Sequence, residues 1–163
     1  MTGSMRDHLA EHALFEGLGS GHLDTIAALA TEYLVPPGTM LCREGEHAGG
    51  CYVLRRGRVA LEVHGPAGAS VLTTLGPGDM LGWSWLFPPF RWRFDARALT
   101  EVDAIAFDGP GLVAAADADP TLGYPLLRRL LAMSVERLQH ARLQQLDVYG
   151  MRPREPGAPG APR

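Results

Sequence analysis

The residues best equipped for chemistry are crowded into one stretch, Gly82–Arg93 (GWSWLFPPFRWR). It holds all three tryptophans of the chain, Trp83, Trp85 and Trp92, together with Phe87, Phe90, Pro88, Pro89, Arg91 and Arg93. An indole offers a flat stacking face and one N–H donor, and arginine offers a planar fork of donors that fits phosphate or carboxylate. Ser84 and the amides after Gly82 would add a small anion-receptive corner. The candidate pocket is therefore Gly82, Trp83, Ser84, Trp85, Arg91, Trp92 and Arg93. Two uses compete for it: aromatic side chains that fill a core, or a tryptophan lid over a flat or apolar ligand.

Other chemistries find no support. The six histidines are scattered, Glu44 and Glu46 sit in a turn, and no nucleophile–base pair or useful carboxylate pair occurs. Catalysis is not expected. Cys42 and Cys51 are the only cysteines and lack a CxxC or a nearby histidine pair, so neither a metal site nor a disulfide framework is expected. All fifteen basic residues are arginine, spread along a chain of net charge −3, which offers no footprint for nucleic acid. No apolar run approaches the roughly 20 residues of a membrane span, and no secretory leader pattern opens the chain. A cytoplasmic protein with no membrane association is the expectation.

These residues must be positioned by elements that the hydrophobic period indicates. Met5–Phe15 reads as a short helix, stopped by Gly17-Leu18-Gly19. Ser20 reads as the cap of a second helix over Gly21–Tyr33, with Leu23, Ile26, Leu29, Ala30 and Tyr33 on one face. From Thr39 the period changes to two, predicting strands at Thr39–Arg43, Cys51–Arg55, Arg58–His64, Ser70–Leu75, Trp92–Leu99 and Glu101–Phe107. Gly-rich turns between them, such as Gly76-Pro77-Gly78-Asp79, predict an antiparallel roll. Alternation in the fifth strand would turn Trp92, Phe94, Ala96 and Ala98 inward and Arg93, Asp95 and Arg97 outward, with Arg91 freer at the loop edge. Asp108 with Pro110 opens a short helix, and Asp119-Pro120 opens a long one over Thr121–Tyr149. The expected fold is mainly β: a jelly-roll-like antiparallel roll over about 34–107 with flanking helices, in one domain spanning 5–150. Residues 151–163 (MRPREPGAPGAPR) read as a disordered Pro/Gly tail.

The order helix, roll, short helix, long helix resembles the cyclic nucleotide-binding domain of the CRP/FNR regulators. The matching pieces are Leu14-Phe15…Leu18, Val35-Pro36-Pro37-Gly38-Thr39, Arg43-Glu44-Gly45-Glu46, Tyr52–Val59 (YVLRRGRV), Leu75–Asp79 and Arg97–Thr100. In nucleotide-binding members a segment resembling F-G-E-L-A-L-x(5)-R-x-A cradles the ligand, its arginine pairing with the phosphate and its glutamate accepting from the ribose. Laid against that pattern, Leu81-Gly82 fits F-G, Trp83 takes the glutamate position and Trp92 the arginine position. Indole cannot accept from a hydroxyl and cannot replace a charge-assisted bidentate contact. The resemblance thus implies a degenerate nucleotide site, with no cofactor and with cyclic nucleotide disfavoured.

In the family the long C-terminal helix pairs across a two-fold axis, and here Leu127, Leu131 (or Leu130), Ser134, Leu138, Ala141, Gln145 and Val148 form a heptad-like seam. Leu126, Leu130, Met133 and Leu143 are expected to pack back on the roll. In the regulators a helix-turn-helix comes after this helix; here Tyr149-Gly150 leads into the Pro/Gly tail. His140, Ala141 and Arg142 stand where relatives place base-contacting hydroxyls. The expectation is a stand-alone, dimeric regulatory or sensor domain without direct DNA binding, working through an unidentified protein partner. The alternatives are a ligand-free interaction module, and a true cyclic AMP or cyclic GMP receptor or CRP-like regulator acting through a partner.

Overall fold

Apolar residues alternating on a two-residue period leave one face of each strand to be buried, and two such faces bury one another. The structure, a computed structural model, describes residues 4–148, with side chains to residue 143. Among the described residues eight strands form: β1 Ala30–Val35, β2 Met40–Cys42, β3 Gly50–Arg56, β4 Val59–Gly65, β5 Gly68–Leu75, β6 Met80–Leu81, β7 Asp95–Ala98 and β8 Val102–Asp108. They make two four-stranded sheets, in the orders β1-β8-β3-β6 and β2-β7-β4-β5, antiparallel throughout. Val59, Leu61, Ala96 and Ala98 of one sheet join Val35, Leu54, Val102 and Ala104 of the other in a single buried cluster. The expected roll is present.

Its turns depend on glycine where the chain crosses itself. Gly57, between β3 and β4, has a φ of +90°, and a Cβ there would run into the Glu101 carbonyl oxygen. Only glycine meets both demands.

The helices are α1 Met5–Ala10, α2 Ser20–Ala27, α3 Gly109–Ala118 and α4 Pro120–Val148, with a 3₁₀ turn at Ala13–Phe15. α1 is closed by a capping box in which Ser4 and Asp7 satisfy each other's amides. The single helix expected over Met5–Phe15 is therefore broken, because His12 caps the 3₁₀ turn by accepting from the Leu14 amide. The helix expected to reach Tyr33 stops at Ala27, and Ala30–Val35 becomes β1, paired with β8 from Ala30–Phe107 to Val35–Val102. Six residues of ladder to a central strand outweigh the helical reading of the same apolar spacing. Gly19, not Ser20, holds the cap position of α2, and Asp108 precedes α3 without a side-chain capping bond. By contrast Asp119 does receive the Thr121 amide at 2.9 Å and its hydroxyl at 2.6 Å, which holds the Asp119 carboxyl below its ordinary pKa.

The chain divides into two compact units, residues 1–126 and 127–163, with the boundary inside α4. Tyr149, Gly150 and the tail expected over 151–163 lie outside the described residues, as do the side chains of Gln145 and Val148.

Candidate ligand site in the roll

β6 ends just before Gly82, whose φ is +104°. From Gly82 the chain runs through successive turns: the Leu86 amide donates to the Trp83 carbonyl (3.1 Å) and the Phe90 amide to the Phe87 carbonyl (2.9 Å). No helix starts here, and the Gly82 carbonyl is taken by Trp85 Nε1 at 3.0 Å. The anion-receptive corner expected after Gly82 therefore lacks the aligned amides that a helix N-terminus supplies. Residues 90–92 next run beside the turn at 45–48, with the Ala48 amide on the Phe90 carbonyl (2.8 Å), the Trp92 amide on the Glu46 carbonyl (2.9 Å) and the Gly45 amide on the Trp92 carbonyl (2.9 Å). Because these residues are held by that turn, the regular strand expected from Trp92 begins only at Asp95.

Two of the three indoles belong to the core. Trp92 is 6% exposed and packs in the same buried cluster as Leu41, Cys42, Ala48 and Leu81. Its ring atoms Cη2 and Cζ3 come to 2.6 and 2.7 Å from where a Cβ on Gly82 would stand. Gly82 is thus fixed twice, by its φ and by the indole against it. Trp85 is 4% exposed, and its Cβ and Cε3 lie 3.0 Å from the Cβ position of Gly109.

Trp83 and Ser84 are half-buried and line a different space, an open groove of about 300 Å³. Phe87, Pro88, Pro89 and Phe94 supply its other apolar walls, and Arg91 and Arg93 its charges; no acidic residue lines it. Arg91 donates from Nη1 to the Gly45 carbonyl at 2.7 Å, which anchors its head group. Arg93 is exposed and makes no hydrogen bond or ion pair among the described residues. The seven residues expected as one pocket are thus split: Gly82, Trp85 and Trp92 close the core, while Trp83, Ser84, Arg91 and Arg93 surround the groove.

Alternation in the fifth strand holds for Trp92, Ala96 and Ala98, which are buried, and for exposed Arg93. It fails at Asp95, expected outward but only 8% exposed. Its Oδ1 accepts the Glu44 amide at 2.7 Å, and His64 Nδ1 stands 3.6 Å from Oδ2. A carboxylate can be buried when it terminates a turn's free amide, and no residue period signals that need. Neighbouring Arg97 grips Glu62, Nε to Oε1 at 3.1 Å.

Trp92 also lines a second cavity of about 350 Å³, bounded by Leu41, Cys42, Glu46, His47, Gly49–Gly50, Cys51 and Tyr52. Burial pushes the Cys42 and Cys51 thiols up to about 12, and the Tyr52 phenol likewise to about 12. Neutral, buried thiols are poor nucleophiles. Sequence reasoning misses this cavity, because its walls come from four separate stretches of chain, around residues 41–42, 46–52, 92 and 106–107, that only the fold brings together.

The unit beginning at Leu127 carries an apolar stripe on its surface. Leu127, Leu131 and Leu138 are 52%, 64% and 52% exposed, with Val135 beside them. Ser134 turns its hydroxyl back to the Leu130 carbonyl at 2.9 Å, leaving a small contour in the stripe. Leu143, expected to be packed away, is 47% exposed.

The cyclic nucleotide-binding domain model matches residues 34–119, more than half of the chain and all of the roll's segments around the site. The chain belongs to the cyclic nucleotide-binding domain family. It is 29% identical over 149 residues to the CRP-like cAMP-activated global transcriptional regulator of Mycobacterium tuberculosis, covering 90% of this chain and 66% of the regulator. Its architecture is shared with a solved chain from Geobacter metallireducens GS-15 (TM-score 0.73, 25% identity, 85% of this chain and 99% of that one). A second likeness is to the N-terminal domain of a transcriptional regulator from Streptomyces coelicolor A3(2) (TM-score 0.64, 28% identity, 81% and 92%). Among the described residues no helix is long and apolar enough to cross a membrane.

Where the resemblance places a phosphate-pairing arginine stands Trp92, and that indole occupies the space against Gly82. Where the resemblance places the ribose-binding glutamate stands Trp83, which has a donor and no acceptor. Neither indole supplies the charge or the acceptor that the resemblance assigns to these two positions.

Proposed function

We propose that this is a non-catalytic regulatory domain whose nucleotide site has been closed and which responds to something other than cyclic AMP or cyclic GMP. The observation that carries the reading is Trp92, buried against Gly82 at 2.6 Å from its Cβ position, where a charged partner for phosphate belongs. Filling a pocket with an indole stabilises the roll and removes the charge that a buried phosphate requires. Calorimetric titration with both cyclic nucleotides tests it. No saturable heat up to millimolar ligand is expected, and a micromolar Kd for either would refute the closed site. The double variant Trp83→Glu, Trp92→Arg is expected to remain unable to bind cyclic AMP at micromolar ligand, because the bulk around the site also differs.

The exposed stripe of Leu127, Leu131 and Leu138 supports a homodimer through α4, as a coiled-coil seam with Ser134 and Ala141 as its small positions. Gln145 would continue it. Sedimentation of the double variant Leu131→Glu, Leu138→Glu tests this: a wild-type dimer and a monomeric variant are expected. A wild-type monomer at tens of micromolar would refute it. The regulatory output, in this reading, passes from the dimer to a protein partner without direct nucleic-acid contact by the domain.

A further inference from the structure

The geometry points to the outer groove beside Trp83 as a binding site for a planar aromatic carboxylate, one or two rings carrying the acid directly and no sugar, held by stacking and by Arg93. This names a ligand class for the remodelled site and rests on the reading that Trp92 closes the nucleotide pocket. Shape is the first reason. A groove of about 300 Å³ stands at the small end of ligand pockets, which suits one or two rings and little more.

The walls are the second. Trp83, Phe87 and Phe94 present aromatic surface, and Pro88-Pro89 adds a rigid apolar edge. Phe87 is 67% exposed, an unusual cost for a phenylalanine in the absence of something to cover it. Charge is the third. The lining has two arginines and no acid, although the whole chain is at −3. Arg91 is pinned by the Gly45 carbonyl, whereas Arg93 has all its donors uncommitted among the described residues.

These three features select jointly. A neutral aromatic would stack and leave Arg93 without a counter-charge. An aliphatic anion would pair with Arg93 and leave the rings uncovered. Only a ligand with both a π-face and a negative group uses the whole site, adding cation–π contact to the ion pair.

The test is calorimetry on the full chain with naphthalene-1-carboxylate as the probe and naphthalene-1-methanol as its neutral counterpart. The carboxylate is expected to bind saturably below millimolar, and the alcohol at least tenfold more weakly. Arg93→Gln, an exposed substitution that leaves the core alone, is expected to cost at least tenfold for the carboxylate and nothing for the alcohol. Trp83→Ala should weaken both, with near-ultraviolet circular dichroism checking that the fold is kept. Equal affinity for acid and alcohol, no effect of Arg93→Gln, or no saturable heat to millimolar would each overturn the proposal. The parallel cyclic AMP titration separates the two readings. Silence from both ligands sinks the aromatic-anion site and leaves the closed pocket standing. Cyclic AMP binding in competition with the carboxylate sinks both.

Discussion

The β3–β8 ladder and the segment 82–94 lie side by side in one roll and are built on different physics. In the ladder, backbone pairing holds the chain: β3 runs beside β8 from Gly50–Asp108 to Arg56–Asp103, and Gly50 is there because a Cβ would strike the Phe107 carbonyl oxygen. In the segment, side chains take that part. Its turns carry only local backbone bonds as far as residue 90, residues 90–92 are tied to the turn at 45–48, and Trp85 and Trp92 fix the rest, each driven into the core against a glycine. A ladder tolerates exchange of side chains as long as the pairing survives, whereas an aromatic plug can be exchanged only by rebuilding its surroundings. A family fold can therefore keep its framework while its site changes chemistry.

The sharpest way to break this contrast is Trp92→Ala. Loss of a buried indole is expected to cost about 3–5 kcal/mol in chemical denaturation. A cost under about 1 kcal/mol would mean that the indole is not a plug. Next is Gly57→Ala, where crowding against Glu101 and a φ of +90° should cost about 1–3 kcal/mol, with the tryptophan emission of the folded state unchanged. Altered emission would show that ladder and segment are coupled. Trp83→Ala should be milder, about 1 kcal/mol, since only part of that side chain leaves water; a loss comparable to Trp92→Ala would put Trp83 in the core as well.

The smallest effect is expected of the two cysteines, whose ionisation leaves stability at neutral pH untouched. Burial raises the Cys42 and Cys51 thiols from 9.0 to about 12, so the neutral thiol is the form that the fold favours. Their contribution to stability is fully present below about pH 9 and is lost as pH rises through about 12. A thiol reagent at about pH 8 should find neither cysteine until denaturant is added, and alkaline unfolding should shift upward in the double Ala variant. Rapid labelling of the native protein would contradict the burial of both.

Much of the framework was legible from residue period and turn chemistry. Strands over 51–55, 58–64 and 70–75 were readable because each alternates between glycine-containing turns, and β-roll turns such as Gly76–Asp79 announce themselves. β1 was not readable, since Ala30 and Tyr33 fit a helical face as well as a strand, and only pairing with β8 settles which. The site divides in the same way. That Gly82–Arg93 would be distinctive, and that Trp83 and Trp92 stand where charge is expected, came from composition and resemblance.

By itself the sequence determined the roll, its glycine-dependent turns and the indoles at Trp83 and Trp92, because these depend on local conformational limits and on residue identity. Tertiary structure alone decided which indoles are plug and which is wall, that Asp95 turns inward to the Glu44 amide, and that Arg93 is left facing an aromatic groove. Those outcomes depend on which distant backbone, 45–50 above all, comes to lie against residues 82–94. No local period records the identity of a neighbour brought in from elsewhere in the chain.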